Sequence, residues 1–315
     1  MRSIFGSDGW TKSSMSDQSG KTVVMTGANS GLGYEATKAF AEKGAHVVMA
    51  CRSVERGESA RESIREQFPA ASLSVRELDL ADLGSVRSFA DSFVEEYDSL
   101  DVLCNNAGVM AIPRQETADG FEMQFGVNHL GHFALTGRLL DVLESTSGQS
   151  RVVTHSSGVH ERGRIGFDDL HWEDSYDKWG AYAQSKLANV LFAYELDRRL
   201  RASDADVLST ACHPGYAATN LQRRGPEMAG SRLRLAAMKA ANAVLAQSAE
   251  AGALPMLYAA TNGEITGGEY VGPGGFANMR GSPEIQTSSE RSRDEETAER
   301  LWAVSEELTG VEYDR

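Results

Sequence analysis

The stretch that decides the fold reads KTVVMTGANSGLGYEATKAF, from Lys21 to Phe40. A β-branched, apolar run at Thr22–Thr26 leads into three glycines and then into an amphipathic helical pattern. Glycine permits the positive φ angles and the close backbone approach that a pyrophosphate requires, and a helix N-terminus offers unpaired N–H groups and partial positive charge. The strand before and the helix after favour a phosphate-binding turn over a packing turn. The turn residues expected to contact the ligand are Gly27, Asn29, Ser30, Gly31, Leu32 and Gly33.

The same alternation of short strand and amphipathic helix continues along the chain, which is typical of repeated βαβ units. Right-handed crossovers would place the helices on both faces of one parallel sheet. The sequence therefore predicts an α/β fold, a Rossmann-type doubly wound sheet of about seven strands in a single domain. The predicted strands are Thr22–Thr26, His46–Cys51, Ser72–Glu77, Val102–Asn105, Arg151–His155, Val207–Cys212 and Glu269–Val271. The predicted helices are 32–43, 54–68, 82–97, 118–143, 178–202 and 249–262.

The domain is expected to span residues 21–280, after a flexible segment at 1–20 and before a tail at 281–315 that contains a short helix. Residues 1–20 and 280–300 are Ser-rich or charge-rich, which predicts fraying or loose packing. The region 215–248 interrupts the alternation and follows a strand, where open α/β sheets bind ligands. It is expected to be a substrate lid, with an oligomer-contact helix as the alternative.

The chain has 315 residues, 41% of them hydrophobic, and a formal charge of -14, so it is expected to fold and to bind no nucleic acid or anionic membrane over a broad surface. No apolar window approaches the ~18 residues of a membrane span, and Met1–Gly20 is polar, so we expect a cytoplasmic protein with no membrane span. Cys51, Cys104 and Cys212 lack metal-type spacing and are expected to be reduced and buried. The excess of carboxylates fits either a high-salt cytoplasm or codon bias.

Arg52 and Ser53 follow the second strand, at the position that contacts the adenosine ribose of a dinucleotide. An acidic residue there binds the 2′-hydroxyl of NAD, whereas an arginine pairs with a 2′-phosphate, so the sequence predicts a preference for NADP(H) over NAD(H). The alternative is an arginine that simply extends into solvent. Asp79 and Leu80 follow the third strand and either border the adenine or form a plain helix N-cap.

Tyr182 and Lys186 are four residues apart in a strongly helical segment, which places both side chains on one helix face. A nearby ammonium favours the phenolate, so Lys186 is expected to lower the pKa of Tyr182 and make it an acid/base at neutral pH. The turn after the fourth strand supplies small residues and side-chain amides that let the backbone approach a cofactor. Its proposed cofactor contacts are Asn106, Ala107 and Gly108.

Five motifs, in order between Lys21 and Gly272, together resemble the short-chain dehydrogenase/reductase family. They are Thr26–Gly33, Asn105–Gly108, Asn128 within Val127–Gly131, Ser156-Ser157, and Tyr182–Lys186. Three stretches resemble most of all its retinol-dehydrogenase-like branch, which includes the WW-domain-oxidoreductase relatives; they are Ala50–Arg52, Val127–Phe133 and Ser185–Phe192.

The resemblance implies a role for each matching residue. Tyr182 would be the acid/base, Lys186 would hold the nicotinamide ribose, Ser157 would hydrogen-bond the reacting oxygen, and Asn128 would hold a proton-relay water. Ser157 is preferred to Ser156 because this branch places the catalytic serine 25 residues before the tyrosine. The resemblance also assigns cofactor contacts to the loop after the sixth strand, at Pro214, Gly215 and Thr219.

The expected function is an NADP(H)-dependent oxidoreductase that interconverts an alcohol and a carbonyl on an apolar small molecule; the alternative is a non-catalytic dinucleotide-binding module. The family also implies a homo-oligomer, a dimer or tetramer formed through the helices at 118–143 and 178–202. Membrane-bound retinoid enzymes of this branch carry an N-terminal hydrophobic anchor, which Met1–Gly20 does not supply. The resemblance therefore does not assign a retinoid substrate.

Two groups of side chains leave alternatives open. The aromatic residues before the Tyr182 helix either line an apolar substrate site or serve packing; they are Trp172, Tyr176 and Trp179. Four histidines lie on different elements without ligand spacing, so no metal site is expected; they are His129, His132, His155 and His160.

Overall fold

The computed structural model describes residues 9–216 and 247–313. An eight-stranded sheet runs in the order β3-β2-β1-β4-β5-β6-β7-β8. All neighbouring strands pair in parallel except β7 and β8, which are antiparallel. The strands are β1 Thr22–Thr26, β2 His46–Cys51, β3 Ser72–Glu77, β4 Val102–Asn105, β5 Ser150–His155, β6 Val207–Cys212, β7 Tyr270–Pro273 and β8 Pro283–Gln286.

Helices cover both faces of this sheet. One face buries Phe40, Ile64 and Met256 against the strands, and the other buries Phe89 and Phe133. The described α-helices are α1 Gly31–Glu42, α2 Val54–Gln67, α3 Leu83–Glu96, α4 Met123–Phe125, α5 Gly131–Ser145, α6 Lys178–Ala202, α7 Ala249–Thr261 and α8 Glu295–Thr309. The fold is therefore the predicted doubly wound α/β sheet.

The strand prediction succeeds for the parallel part of the sheet and misses its antiparallel edge. All seven predicted strands are present within a residue or two of their expected bounds, but β8 was not predicted. A four-residue strand that begins with Pro283 carries little periodic signal, and proline is tolerated because β8 lies at the edge. The predicted helix at 118–143 instead begins at Met123 and passes through a π-helical stretch at Gly126–Leu130.

The expectation of loose packing at 280–300 is wrong, because the chain there forms β8 and the start of α8. Trp302 of α8 is 2% exposed and packs against Phe133, Phe192 and Tyr313 with ring-centroid distances of 5.1, 5.8 and 4.5 Å. The guanidinium of Arg199, on α6, lies 4.5 Å from the Trp302 ring centroid. Helix α8 thus covers part of the α6 surface to which the oligomer contact was assigned.

The segment before β1 also makes tertiary contacts. Trp10 packs edge-on against Tyr258 of α7 at 5.5 Å, and Met15 is 3% exposed. The three cysteines are buried and unpaired, as predicted. Most of the expected lid, residues 217–246, lies outside the described residues. Within the described ranges, no helix combines the length and apolar character needed to cross a membrane.

Candidate active site

The glycine turn between β1 and α1 has the shape that the sequence predicts. Gly27 and Gly31 adopt positive φ angles of 67° and 58°, where a side chain would be strained. A Cβ on Gly33 would lie 2.4 Å from the carbonyl oxygen of Gly27 and 2.5 Å from Nδ2 of Asn106. The turn therefore requires glycine at these positions, and it leaves the N-terminus of α1 open for an anionic group.

Thr26 holds the turn after β4 against the glycine turn. Its Oγ1 accepts the backbone N–H groups of Asn106 at 2.8 Å and Ala107 at 2.9 Å. Its carbonyl oxygen accepts the side-chain amide of Asn106 at 2.7 Å. The two turns therefore form one rigid wall at the carboxyl ends of neighbouring parallel strands, which is where open α/β sheets bind ligands.

A cleft runs along this wall, and the predicted contacts of the first four strand ends line it: Gly27, Asn29, Ser30, Gly31, Leu32, Gly33, Arg52, Ser53, Asp79, Leu80, Asn106, Ala107 and Gly108. It has a phosphate-binding turn at its centre and a basic edge beyond β2. These features fit an extended dinucleotide. Sequence reasoning missed other lining residues, namely Thr26, Ala50, Arg56, Leu78, Val109, Met123 and Val127.

Arg52 and Arg56 form the basic edge of the cleft. Both side chains are exposed, and no carboxylate in the described part of the chain forms an ion pair with either guanidinium. Ser53 caps α2 by accepting the backbone N–H of Arg56 at 3.3 Å, which fixes Arg56 in the first helical turn. A cation in the first turn of a helix is disfavoured by the positive end of the helix dipole. An arginine at this position is therefore the sequence feature that could have identified Arg56 as a cleft residue.

Asp79 lines the cleft but does not cap α3. Its Oδ1 accepts the backbone N–H of Ala81 at 3.0 Å in a local turn, whereas Asp82 is the N-cap of α3. The N-cap interpretation of Asp79 is therefore wrong.

Tyr182, Lys186 and Ser157 meet where α6 crosses the end of β5. Asp177 caps α6, and the helix presents Tyr182 and Lys186 on one face, 5% and 3% exposed. The Ser157 side chain lies beside the Tyr182 hydroxyl, where it favours the phenolate. The Lys186 ammonium donates to the carbonyl oxygen of His155 at 3.0 Å and lies 5.9 Å from the Tyr182 ring centroid. The three residues expected to carry the chemistry, Tyr182, Lys186 and Ser157, therefore lie together, and we call them the Tyr182 cluster.

The expected lowering of the Tyr182 pKa is not observed. Burial raises the pKa of Tyr182 to about 12, and the Ser157 side chain offsets only part of that effect. Burial also lowers the pKa of Lys186 to about 8. Since Lys186 is directed at a carbonyl oxygen, desolvation outweighs its attraction for a phenolate.

Asn128 lies in the π-helical stretch and is fully buried. Its side-chain amide donates to Val109 O and to Ser185 Oγ, both at 2.9 Å, and its Oδ1 accepts the N–H of Val109 at 2.8 Å. Both amide protons are therefore used within the protein. The side chain therefore holds Val109 and Ser185 in place, and the role of Asn128 in holding a proton-relay water stays a prediction.

Gly108 joins the cleft to this cluster. A Cβ on Gly108 would lie 2.9 Å from Oδ1 of Asn128 and 3.7 Å from Nζ of Lys186. A ligand that extends along the cleft past Gly108 would therefore reach Lys186 and Tyr182.

Ser156 and Ser157 have different environments. Ser156 Oγ donates to the carbonyl oxygen of Lys186 at 2.7 Å, and Ser156 is 1% exposed, so its hydroxyl serves the packing of α6 against β5. Pro214 and Gly215 follow β6, and the Pro214 carbonyl accepts a bond from Gln247 at 2.5 Å; neither residue lines the cleft. Thr219 lies outside the described residues.

The three aromatic residues before Tyr182 divide between packing and the site. Trp172 packs against Gly180, and the Tyr176 hydroxyl donates to the Ile112 carbonyl at 3.0 Å. Trp179 is 50% exposed, and its ring lies edge-on to Tyr182 at 6.2 Å. Only Trp179 of the three adjoins the Tyr182 cluster.

The geometry agrees with comparisons to known proteins. The family model of the short chain dehydrogenase matches residues 21–229, so the chain belongs to the short-chain dehydrogenase family of oxidoreductases, which use a nicotinamide dinucleotide. Human retinol dehydrogenase 13 is 44% identical over 296 residues, 93% of this chain and 86% of that protein. Human retinol dehydrogenase 12 is 42% identical over 297 residues, 94% and 88% of the two chains. A crystal structure of an uncharacterized protein from Mycobacterium paratuberculosis is 42% identical, with a TM-score of 0.80 over 98% of this chain and 100% of that one.

Proposed function

We propose that the protein reduces an apolar ketone or aldehyde to the alcohol with NADPH, and that Tyr182 is its acid/base. The observation that carries this proposal is the place of Gly108, which lines the cleft and where an added Cβ would lie 3.7 Å from Nζ of Lys186, so the dinucleotide cleft and the Tyr182 cluster adjoin there. The reverse reaction uses the same groups.

A bound reduced nicotinamide supplies the hydride that adds to the carbonyl carbon. As the C=O π electrons move onto oxygen, the Ser157 hydroxyl stabilises the growing charge with a hydrogen bond. Tyr182 transfers its hydroxyl proton to that oxygen, which completes the alcohol and leaves a phenolate. The Lys186 ammonium, 5.9 Å from the ring centroid of Tyr182, stabilises this phenolate until a proton from solvent restores the phenol.

Tyr182 holds the proton that the reduction consumes. A Tyr182 pKa of about 12 keeps the phenol protonated at neutral pH, so the enzyme begins its cycle with the proton that reduction consumes. Oxidation would require removal of that proton first.

The preference for NADP(H) is supported by the exposed arginines at the β2 end of the cleft. Arg52 and Arg56 lack carboxylate partners among the described residues, so a 2′-phosphate would not have to displace an ion pair. In a chain with a formal charge of -14, two unpaired cations beside the cleft favour an anionic group there.

An apolar substrate is supported by the exposed ring of Trp179 beside Tyr182 and by the names of the two human relatives. The first panel to test is therefore all-trans-retinal, shorter aliphatic aldehydes and aromatic ketones, with NADPH oxidation as the readout.

Tyr182→Phe tests the mechanism. We expect NADPH binding to be retained and turnover to fall by ~10²–10⁴-fold, because the proton donor is lost. Tyr194→Phe is the matched control, since Tyr194 lies on the same helix and its hydroxyl bonds only Ser288 among the described contacts, at 2.8 Å. Turnover of Tyr182→Phe equal to that of Tyr194→Phe would refute the role of Tyr182.

A further inference from the structure

A chain of buried hydrogen bonds joins the end of β1 to the helix that carries Asn128. Oγ1 of Thr26 lies 3.0 Å from Nε2 of His132, and Nδ1 of the same ring lies 3.1 Å from the carbonyl oxygen of Asn128. His132 is 1% exposed, so water does not compete for either ring nitrogen.

The partners of His132 fix its tautomer. A carbonyl oxygen only accepts, so Nδ1 carries the ring proton and donates it to Asn128. Nε2 is then an acceptor, and the Thr26 hydroxyl donates to it. The Cys104 carbonyl, at 3.2 Å, is the other acceptor within reach of that hydroxyl, but it also receives the N–H of Asn106, whereas Thr26 is the only described partner of the buried Nε2. Burial lowers the pKa of His132 to about 4, so the ring stays neutral at about pH 7.

This arrangement uses the whole hydrogen-bonding capacity of the Thr26 hydroxyl. Its lone pairs accept the N–H groups of Asn106 and Ala107, and its single proton goes to His132. Because His132 takes the proton, both lone pairs of Thr26 face the turn that lines the cleft.

The other end of the chain reaches the Tyr182 cluster. Asn128 binds Ser185, whose Oγ in turn donates to the carbonyl oxygen of Tyr182 at 2.8 Å. Ser185 lies directly before Lys186 on α6. His132 thus stands between the residue that holds the cleft turn and the residue that holds α6.

We propose that His132 is a positioning residue that couples the dinucleotide cleft to the catalytic cluster, a role that rests on the function proposed above. It touches neither ligand nor reacting atoms. It acts by orienting the Thr26 hydroxyl on one side and the backbone of Asn128 on the other.

A double-mutant cycle between His132 and Thr26 tests this coupling through the dissociation constant of NADPH, measured by fluorescence titration. His132→Asn keeps a donor in place of Nδ1 but offers Thr26 no acceptor. We expect it to weaken NADPH binding about tenfold, the loss of about one hydrogen bond, and Thr26→Val to weaken it at least as much. Adding His132→Asn to Thr26→Val should then change the dissociation constant by less than about twofold.

His132→Gln is the conservative variant, because its side-chain oxygen can replace Nε2 as the acceptor. We expect it to retain most of the NADPH affinity and to remain sensitive to Thr26→Val as the wild type is. This pair of variants also completes the test if His132→Asn does not fold.

His129→Asn is the control for a purely structural histidine. His129 lies on the preceding turn, is also 1% exposed, and bonds Ser305 of α8 at 2.9 Å, away from the cleft. We expect it to lower the melting temperature with less than about a twofold effect on NADPH affinity. The proposal is overturned if His132→Asn behaves like His129→Asn, or if the effects of His132→Asn and Thr26→Val multiply.

The outcome is separable from that of the proposed function. Coupling without turnover on any carbonyl would refute the enzymatic proposal and leave the positioning role intact. Turnover of a carbonyl, together with independent effects of the His132 and Thr26 substitutions on NADPH affinity, would support the enzymatic proposal and refute the positioning role. A wild type that binds no dinucleotide would refute both.

Discussion

At the scale of single residues, burial decides the chemistry of the Tyr182 cluster. The i,i+4 spacing brings an ammonium close to a phenol, but both groups lose water, and each is driven toward its neutral form. The resting site is therefore a protonated phenol beside a lysine that titrates close to physiological pH.

The pH dependence of kcat/KM follows from these pKa values, since kcat/KM reports the groups of the free enzyme. Reduction needs Tyr182 protonated and Lys186 charged. We expect kcat/KM for reduction to be level near neutral pH and to fall above about pH 8, where Lys186 loses its proton, while Tyr182 stays protonated up to about pH 12. A profile that stays level to about pH 10 would contradict this assignment.

Cofactor choice is also decided by single side chains. A 2′-phosphate paired with Arg52 gains charge-assisted hydrogen bonds of roughly 1.5–3 kcal/mol, so NADPH should bind about ten- to a hundredfold more tightly than NADH. Arg52→Asp should reverse that order, because a carboxylate repels the phosphate and accepts bonds from a ribose hydroxyl. Arg56→Gln should reduce the preference without reversing it.

Titration of both cofactors into each variant measures this preference. Arg87→Asp, an exposed change of the same charge on α3 outside the cleft, is the control for net charge. Equal binding of NADPH and NADH by the wild type would remove the NADP assignment.

At the scale of elements, α8 is a structural part of the domain, although it follows the last strand. Its Trp302 ring fills a space between α5 and α6, and His129 reaches it through Ser305. The sequence of α8 is rich in charged residues and does not reveal this structural role. Its apolar stripe can be recognised as buried only once α5 and α6 are known to pack against it.

Trp302→Ala should therefore destabilise the protein by about 3–5 kcal/mol, the usual cost of deleting a fully buried aromatic side chain. Glu307→Ala, exposed on the same helix, should change stability by less than about 0.5 kcal/mol. Chemical denaturation of both variants measures the difference. Equal midpoints would show that α8 is not part of the cooperative unit.

At the scale of the whole molecule, the excess of negative charge affects the stability of the fold. There are 45 carboxylates against 31 basic side chains, and their mutual repulsion disfavours the compact state at low ionic strength. Helix α8 also covers part of the α6 surface through which two copies were expected to join.

The melting temperature should rise between low salt and about 1 M salt, because the Debye length falls to about 3 Å and the repulsion is screened. Sodium chloride and potassium chloride should act alike if screening is the cause. A melting temperature that does not change with salt would favour codon bias as the origin of the acidic composition.

The sequence by itself determined what depends on local spacing and backbone freedom. The glycine turn, the seven parallel strands and the pairing of Tyr182 with Lys186 are all set by residues within a few positions of one another. Arg52 belongs to this group because a strand end fixes its place in the fold.

Only the tertiary structure decided the features that depend on distant residues and on loss of water. Thr26 and His132 are 106 positions apart, and the partners of Asn128 lie 19 and 57 positions away. No periodicity encodes such contacts. The same holds for the pKa values of Tyr182 and Lys186 and for the docking of α8, since burial follows from the packing of the whole sheet and its helices.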